Sequence, residues 1–451
     1  MATKPTIKNL DASSVEILNA IRSNASPQYK AAIPVATADA ESIRSIGNVM
    51  RNYVSLQNEF LSALFNRIAL TIITSKLWEN PLAVFKRGML EVGETIEEIF
   101  VNIARPHLFD PEKSEDEVFK REMPDVRAAF HYLNYKKKYK GTIQEGEMNE
   151  AFTSLSGVTD LIAKIVDAMY TGANYDEYIT TKYLIAKALV DGRIKTYGVN
   201  TSVPSSVVKT VKAVSNDFEF LKKDYNEAGV MNSSKKNEQY ILINTEFDAV
   251  MDVDVLASAF NMDKAEFIGK RVLFDGFTFD NERLAELFGP DFEPFSSDEL
   301  AALANVPIVV IDENYFMIYD YMQKFTEIYN GDGLYWNYWL HRWVIFSTSP
   351  FANAAAFVNG TPAVTAISVS PSTATVLPGS KTQFAASVTA SDFASKLVDW
   401  STDDTSGSTI TDFGMLEIPV NYQGSSTITV TAKSRVNSSV TGTSTVTVDM
   451  S

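Results

Sequence analysis

The 451-residue sequence contains no cysteine. That single absence removes disulfides, thiolate nucleophiles and zinc ribbons. It suits a chain made in reducing cytoplasm, and equally many bacterial surface proteins. Long apolar runs are also missing: a membrane span needs roughly 18–20 residues, and the densest stretch, 306–311, has the length of a strand. Met1-Ala2-Thr3-Lys4 opens no apolar secretory segment, so neither export nor a membrane partner is expected. Cations are in deficit, with 40 Lys and Arg against 56 Asp and Glu and a formal net charge of −16. A dedicated nucleic-acid binder needs the opposite balance. The acidity favours solubility before assembly.

Catalytic patterns are equally scarce. His107, His131 and His341 stand in unrelated surroundings, none with a second ligand at i+4, so no metal motif is built locally. Each is expected to be a surface group or a satisfied interior one. There is no P-loop, no glycine fingerprint opening a helix and no nucleophile elbow. Gly331-Asp332-Gly333 reads as a tight turn. Asp252-Val253-Asp254 and Glu97-Glu98 are neighbouring carboxylates in a chain rich in them, and glycosidase pairs are defined by spatial separation, not by adjacency. The stretch 94–99 lacks the spacing of a calcium loop. Neither catalysis nor a cofactor or metal is expected. One basic run, Lys136-Lys137-Lys138-Tyr139-Lys140, has the composition of a phosphate-binding stripe. In so acidic a chain, a solvated patch or one that meets an acidic patch on another subunit is the favoured reading.

What is present falls into two parts. Up to about Gly360 the chain is charged and helix-rich; residues 363–451 turn to Thr/Ser/Val alternation. Period-2 patterns at 365–370, 381–388, 427–433 and 444–449, with turn signals Pro378-Gly379 and Gln423-Gly424, predict a small β-sandwich. In the body, Val15, Leu18 and Ile21, then Leu56, Phe60, Leu61, Leu64 and Ile68, fall at helical spacing. Residues 81–142 lose that period and gain charge of both signs. They read as a long extended excursion, with strands at 82–85 and 98–103 and a return at 126–132, the kind of segment that serves interaction. Val158, Leu161, Ile162, Ile165, Val166 and Met169 predict a helix closed by Gly172, and 176–190 a second ending at Asp191-Gly192. Strands at 240–244, 272–274, 306–312 and 315–319, with a helix at 253–260, suggest a sheet with helices packed on it. The aromatic stretch 333–351 reads first as long core strands and second as a carbohydrate- or partner-binding face.

Several blocks resemble the major capsid protein of small podoviruses of the phage phi-29 type. They are Arg67-Ile68-Ala69-Leu70, Gly93-Glu94-Thr95-Ile96-Glu97-Glu98-Ile99 and Val118-Phe119-Lys120-Arg121-Glu122-Met123-Pro124, then Met251-Asp252-Val253-Asp254-Val255-Leu256-Ala257 through Asn261-Met262. Gly333-Leu334-Tyr335-Trp336-Asn337-Tyr338 follows, continuing into Phe351-Ala352-Asn353-Ala354. They occur in the family's order over most of 15–360. The tail is similar to a bacterial Ig-like group 2 module, with Trp400 after a strand, Gly414 in a turn and a closing Thr427-Ile428-Thr429-Val430-Thr431-Ala432.

The resemblance implies an α+β tailed-phage capsid fold of the Hong Kong 97 type, followed by an all-β Ig-like sandwich. Its parts would be an N-terminal arm and leading helices (1–80), a projecting hairpin or E-loop (81–142), peripheral spine helices (143–199) and an axial domain (200–335). A return to the peripheral domain with a linker (336–362) and the Ig-like domain (363–451) would complete it. Residues 281–305 are longer than the family's pattern. The implied function is a shell enclosing a double-stranded DNA genome, its partners being other copies in pentamers and hexamers, a scaffolding protein, a portal or connector, and packaged DNA held without sequence-specific binding. The implied location is the virion capsid, assembled in the host cytoplasm. Charges of the excursion are expected as assembly contacts: Lys86, Arg87, Glu91, Glu97, Glu98, Arg105, Lys120 and Arg121. Two rival readings are a bacterial surface structural protein and a secreted polysaccharide-binding or hydrolysing protein with an Ig-like accessory module.

Overall fold

Helical periodicity places apolar side chains on one face of each leading helix, and these faces build the first core. The structure, a computed structural model, describes residues 14–71, 78–90, 93, 95–104, 106, 123–153, 157–254 and 270–449. Helices Ser14–Asn24, Ala40–Asn52 and Val54–Thr71 bury Leu18 and Ile21, Ile43 and Ile46, and Phe60, Leu61 and Leu64. The Asp39 carboxylate accepts from the Ser42 amide at 2.6 Å, satisfying a donor that the helix start leaves unpaired.

The chain divides into two compact units. The first comprises 1–80, 134–178 and 320–344, and the second 81–133, 179–319 and 345–451. In the first, strand Tyr335–Thr348 pairs antiparallel with Tyr135–Gln144, from Tyr335 opposite Gln144 to Val344 opposite Tyr135. Phe316–Asn330 flanks Tyr335–Thr348 on the other side, so Tyr135–Gln144 is an edge strand. Ile143, Trp336, Tyr338 and Leu340 turn inward and join the helical core. The last stretch of the 81–142 excursion, from Tyr135 onward, is therefore a strand of this sheet, and 320–335, expected in an axial domain, belongs to this first unit. Buried Tyr135 and Ile143 explain the first difference: they fix the register of a strand whose intervening lysines masked its apolar face.

The second unit holds a five-stranded mixed sheet ordered Lys195–Val199, Ala354–Asn359, Ile308–Asp312, Gln239–Asn244 and Lys270–Phe274. Helices Pro204–Asp217 and Thr245–Asp254 cover it through Val207, Val211, Phe247 and Met251, packed on Ile241, Ile243, Val310 and Phe357. The helix Thr245–Asp254 includes the first two residues of the one expected at 253–260, and 255–260 lies outside the described residues.

Two expectations are corrected. Residues Pro81–Phe85 form a 3-10 turn rather than a strand. Proline fixes the first φ, and Leu82 and Phe85, three apart, both turn inward; Phe85 meets Tyr240 and Phe316 at ring separations of 5.0 and 4.8 Å. Gly172 does not end a helix: Gly157–Val166 continues through a wider turn, Asp167–Thr171, into Gly172–Val190. A mid-helix glycine costs about 1 kcal/mol relative to alanine, and the buried Met169, Tyr170 and Ala173 around it offset that cost. The stop falls at Gly192, whose φ of +69° suits glycine.

Residues 363–448 form the all-β module. Three sheets pair Ala363–Ser370 with Ala385–Ser391, Val398–Thr402 with Thr427–Ser434 and Thr441–Val448, and Lys381–Gln383 with Met415–Glu417. The core is its own, from Val364 to Val448. Gly414, at φ +79°, sits where a Cβ would lie 3.0 Å from the Trp400 ring, so the turn demands glycine.

Candidate assembly surfaces

Strands turn successive side chains to opposite faces, and that rule organises the excursion. Thr95–Val101 pairs with Val126–Tyr132 in a two-stranded ribbon, Thr95 opposite Tyr132 and Val101 opposite Val126. One face lies against its own unit. Phe100 stacks on Phe351 at 5.4 Å, and Ala129 joins it against Ala228 and Val230. On that face His131 is buried, with Nδ1 2.7 Å from Ser347 Oγ and Nε2 3.2 Å from Glu98. The second Glu98 oxygen accepts from Ser349 Oγ at 2.8 Å.

Arg127 anchors the ribbon's base. Its guanidinium donates to the Ala228 carbonyl, to Asp125 at 3.1 Å and to Asp412 of the Ig-like module at 2.5 Å. The same loop is gripped from the module by Arg435, which donates to the carbonyls of Asn226 and Glu227 at 3.4 and 3.3 Å. Burial pushes the Glu227 carboxyl above the usual carboxylate range, against the pull of Arg193 at 3.7 Å. Ser395 Oγ and the Lys396 amide donate to the Gly192 carbonyl at 3.0 and 2.9 Å. Module, helix end and ribbon base are joined by hydrogen bonds and ion pairs.

The other ribbon face is uncovered and mostly apolar. Ile99, Val101, Val126, Phe130 and Tyr132 are each 51–61% exposed, and Ile103 and Met123, just beyond the strand ends, are exposed as well. Monomeric proteins rarely leave so continuous an apolar strip to water.

The sequence-expected contacts distribute unevenly. Glu97, opposite Phe130, lies on the open face. Glu98 does not; it is used inside the chain, on His131 and Ser349. Lys86 and Arg87 lie in the short strand Lys86–Met89, where Arg87 reaches Asn314 Oδ1 at 3.0 Å. Glu91, Arg105, Lys120 and Arg121 lie outside the described residues, as does His107. Sequence reasoning missed the apolar strip itself. Its signal was the irregular alternation of 95–101, where Ile96 and Ile99 occupy opposite parities. His341 lies 3.3 Å from Thr326 on a sheet face. Among the described residues, no group of three or more His, Asp or Glu side chains is placed to hold a metal ion.

Residues 18–358 match the family described as Phi29-like phage major capsid protein, and residues 363–444 match the bacterial Ig-like domain (group 2). The major capsid protein of Bacillus phage B103 is 36% identical over 428 residues, spanning 93% of this chain and 90% of that protein. That of Bacillus phage PZA is 34% identical over 427 residues, with the same coverages of 93% and 90%. A solved capsid structure of Staphylococcus phage Andhra aligns with a TM-score of 0.49 at 16% identity, covering 64% of this chain and 86% of that one.

Proposed function

Because the chain belongs to the phi29-like phage major capsid protein family, we propose that the open ribbon face is the surface by which one shell subunit lies on the next. The protein is a structural subunit of a phage head shell and not an enzyme. Its copies gather as pentamers and hexamers in a shell of the Hong Kong 97 type around double-stranded DNA. A scaffolding protein guides assembly in the host cytoplasm, and a portal occupies one vertex. The DNA inside is held without base recognition, in keeping with the net charge of −16.

The exposed apolar strip Ile99, Val101, Val126, Phe130 and Tyr132 carries this reading. Covering the exposed half of each side chain contributes roughly 1 kcal/mol apiece. No single residue then dominates. Contacts of that size let misplaced subunits dissociate, and repetition over a shell makes the sum large. Glu97 within the strip supplies register more than affinity.

Paired replacement Ile99→Ser with Phe130→Ser tests the proposal. Both side chains are more than half exposed, so the variant is expected to keep wild-type circular dichroism and thermal unfolding. In co-expression with the scaffolding protein, sedimentation is expected to find it in small species where wild type forms shells. Normal shell yield from the variant would contradict the role given to the ribbon.

A further inference from the structure

The outer face of the first unit's sheet has the opposite character to the open face of the ribbon. Lys136, Lys138 and Lys140 are all exposed on the edge strand Tyr135–Gln144, and the register sets them opposite Trp343, His341 and Trp339. Residues directly opposite share a face. On the third strand, Thr326 reaches His341 and the Tyr321 ring stacks on Trp343 at 6.0 Å, placing exposed Lys324, two residues from Thr326, on the same side. Lys136 Nζ stands 5.0 Å from the centre of the Trp343 ring. The two carboxylates of these strands, Asp320 and Glu327, act on the opposite, inward face, Asp320 on Arg342 and Glu327 on Tyr338. Four lysines and a row of half-buried aromatics thus share a face with no carboxylate among its described residues.

We propose that this lysine–aromatic face is an intersubunit surface whose occupant is a carboxylate-rich surface of a second copy. The inference rests on the capsid reading and names a contact beyond the ribbon. Charge complementarity argues for it. Copies that each carry a net charge of −16 repel one another, and the exposed cations Lys138, Lys140 and Lys324, on strands whose own carboxylates act on the other face, are where a neighbour's acids are best received. The chain supplies the complement: residues 280–299 hold seven carboxylates against the single cation Arg283. Glu282 and Glu286, one helical turn apart, are both exposed there. Edge lysines also discourage strand-to-strand aggregation, but that role needs neither Lys324, which lies on a different strand from the other three, nor the aromatic row beside it.

Shells assembled from a mixture of unlabelled and 15N-labelled chains are treated with a water-soluble carbodiimide, which joins an amine to a carboxylate in direct contact. The expected result is Lys138 or Lys140 joined to a carboxylate in peptides of mixed labelling, hence from another copy, with 280–299 the foremost partner. The exposed double variant Lys138→Glu/Lys140→Glu is expected to fold normally yet lose roughly tenfold or more of its shell yield, which the Lys→Arg pair restores. Links confined to one copy, or lysines shielded only while nucleic acid is present and freed by nuclease, would overturn the proposal. So would unchanged yield from the Glu variant while wild type assembles, an outcome that leaves the capsid reading intact. Failure of wild type to assemble at all would instead contradict both.

Discussion

Glu97 and Glu98 are chain neighbours with opposite fates, because the strand turns one outward and the other onto His131 and Ser349. Composition showed both as charges in a mixed-charge excursion, and only the ribbon's register separates them. Glu98→Ala strips polar partners from a buried histidine and is expected to cost about 1–3 kcal/mol. Glu97→Ala, on open surface, should stay within about 0.5 kcal/mol of wild type. Chemical denaturation of the two purified variants measures both; equal effects would show that the face assignment is wrong. Other single residues were legible beforehand. Phe60, Leu61 and Leu64 fall at helical spacing and are fully buried, since period alone decides which side of an isolated helix meets a core. His131 became a satisfied interior group whose partners come from distant segments that no local pattern connects.

Elements were readable where one period persists and obscured where two rules compete. The return strand at 126–132 was expected with the observed bounds. The helix stop at Asp191-Gly192 was also expected; the stop at Gly172 was not realised, because local propensity yielded to packing of Met169 and Tyr170. The lysine run 136–140 hid a strand, its apolar face represented by Tyr135, Tyr139 and Ile143 between charges. Gly192 is the element-scale test. A Cβ there would lie 2.7 Å from the Lys396 backbone nitrogen, at a φ that side chains avoid. Gly192→Ala is therefore expected to lower stability by about 2 kcal/mol and to loosen the Ig-like module where Lys396 and Ser395 meet the helix end. Thermal unfolding with limited proteolysis of the module reads both effects. An unchanged midpoint would mean the helix end and module are not held as described.

At the scale of the whole molecule, the Ig-like module and the body draw on separate cores, which is why the composition break near Gly360 was so visible. Every member of the module's buried cluster lies between Val364 and Val448. The fragment 362–449 should accordingly unfold cooperatively by itself, and the remaining body should stay folded without it. Denaturant titration of the two fragments checks this, and a fragment without a cooperative transition would refute the boundary. The division of the body was less legible. Its first unit gathers three separated stretches of chain, and tertiary pairing of that kind leaves no mark in any one window of sequence. The most direct test of the central claim, that copies of this chain tile into a shell, is a cryo-electron microscopy reconstruction of assembled particles. Identical subunits should repeat over a closed shell, with Ile99, Phe130 and Tyr132 of each covered by a neighbouring copy. A shell in which those side chains face solvent, or a preparation holding only single chains under assembling conditions, would contradict it.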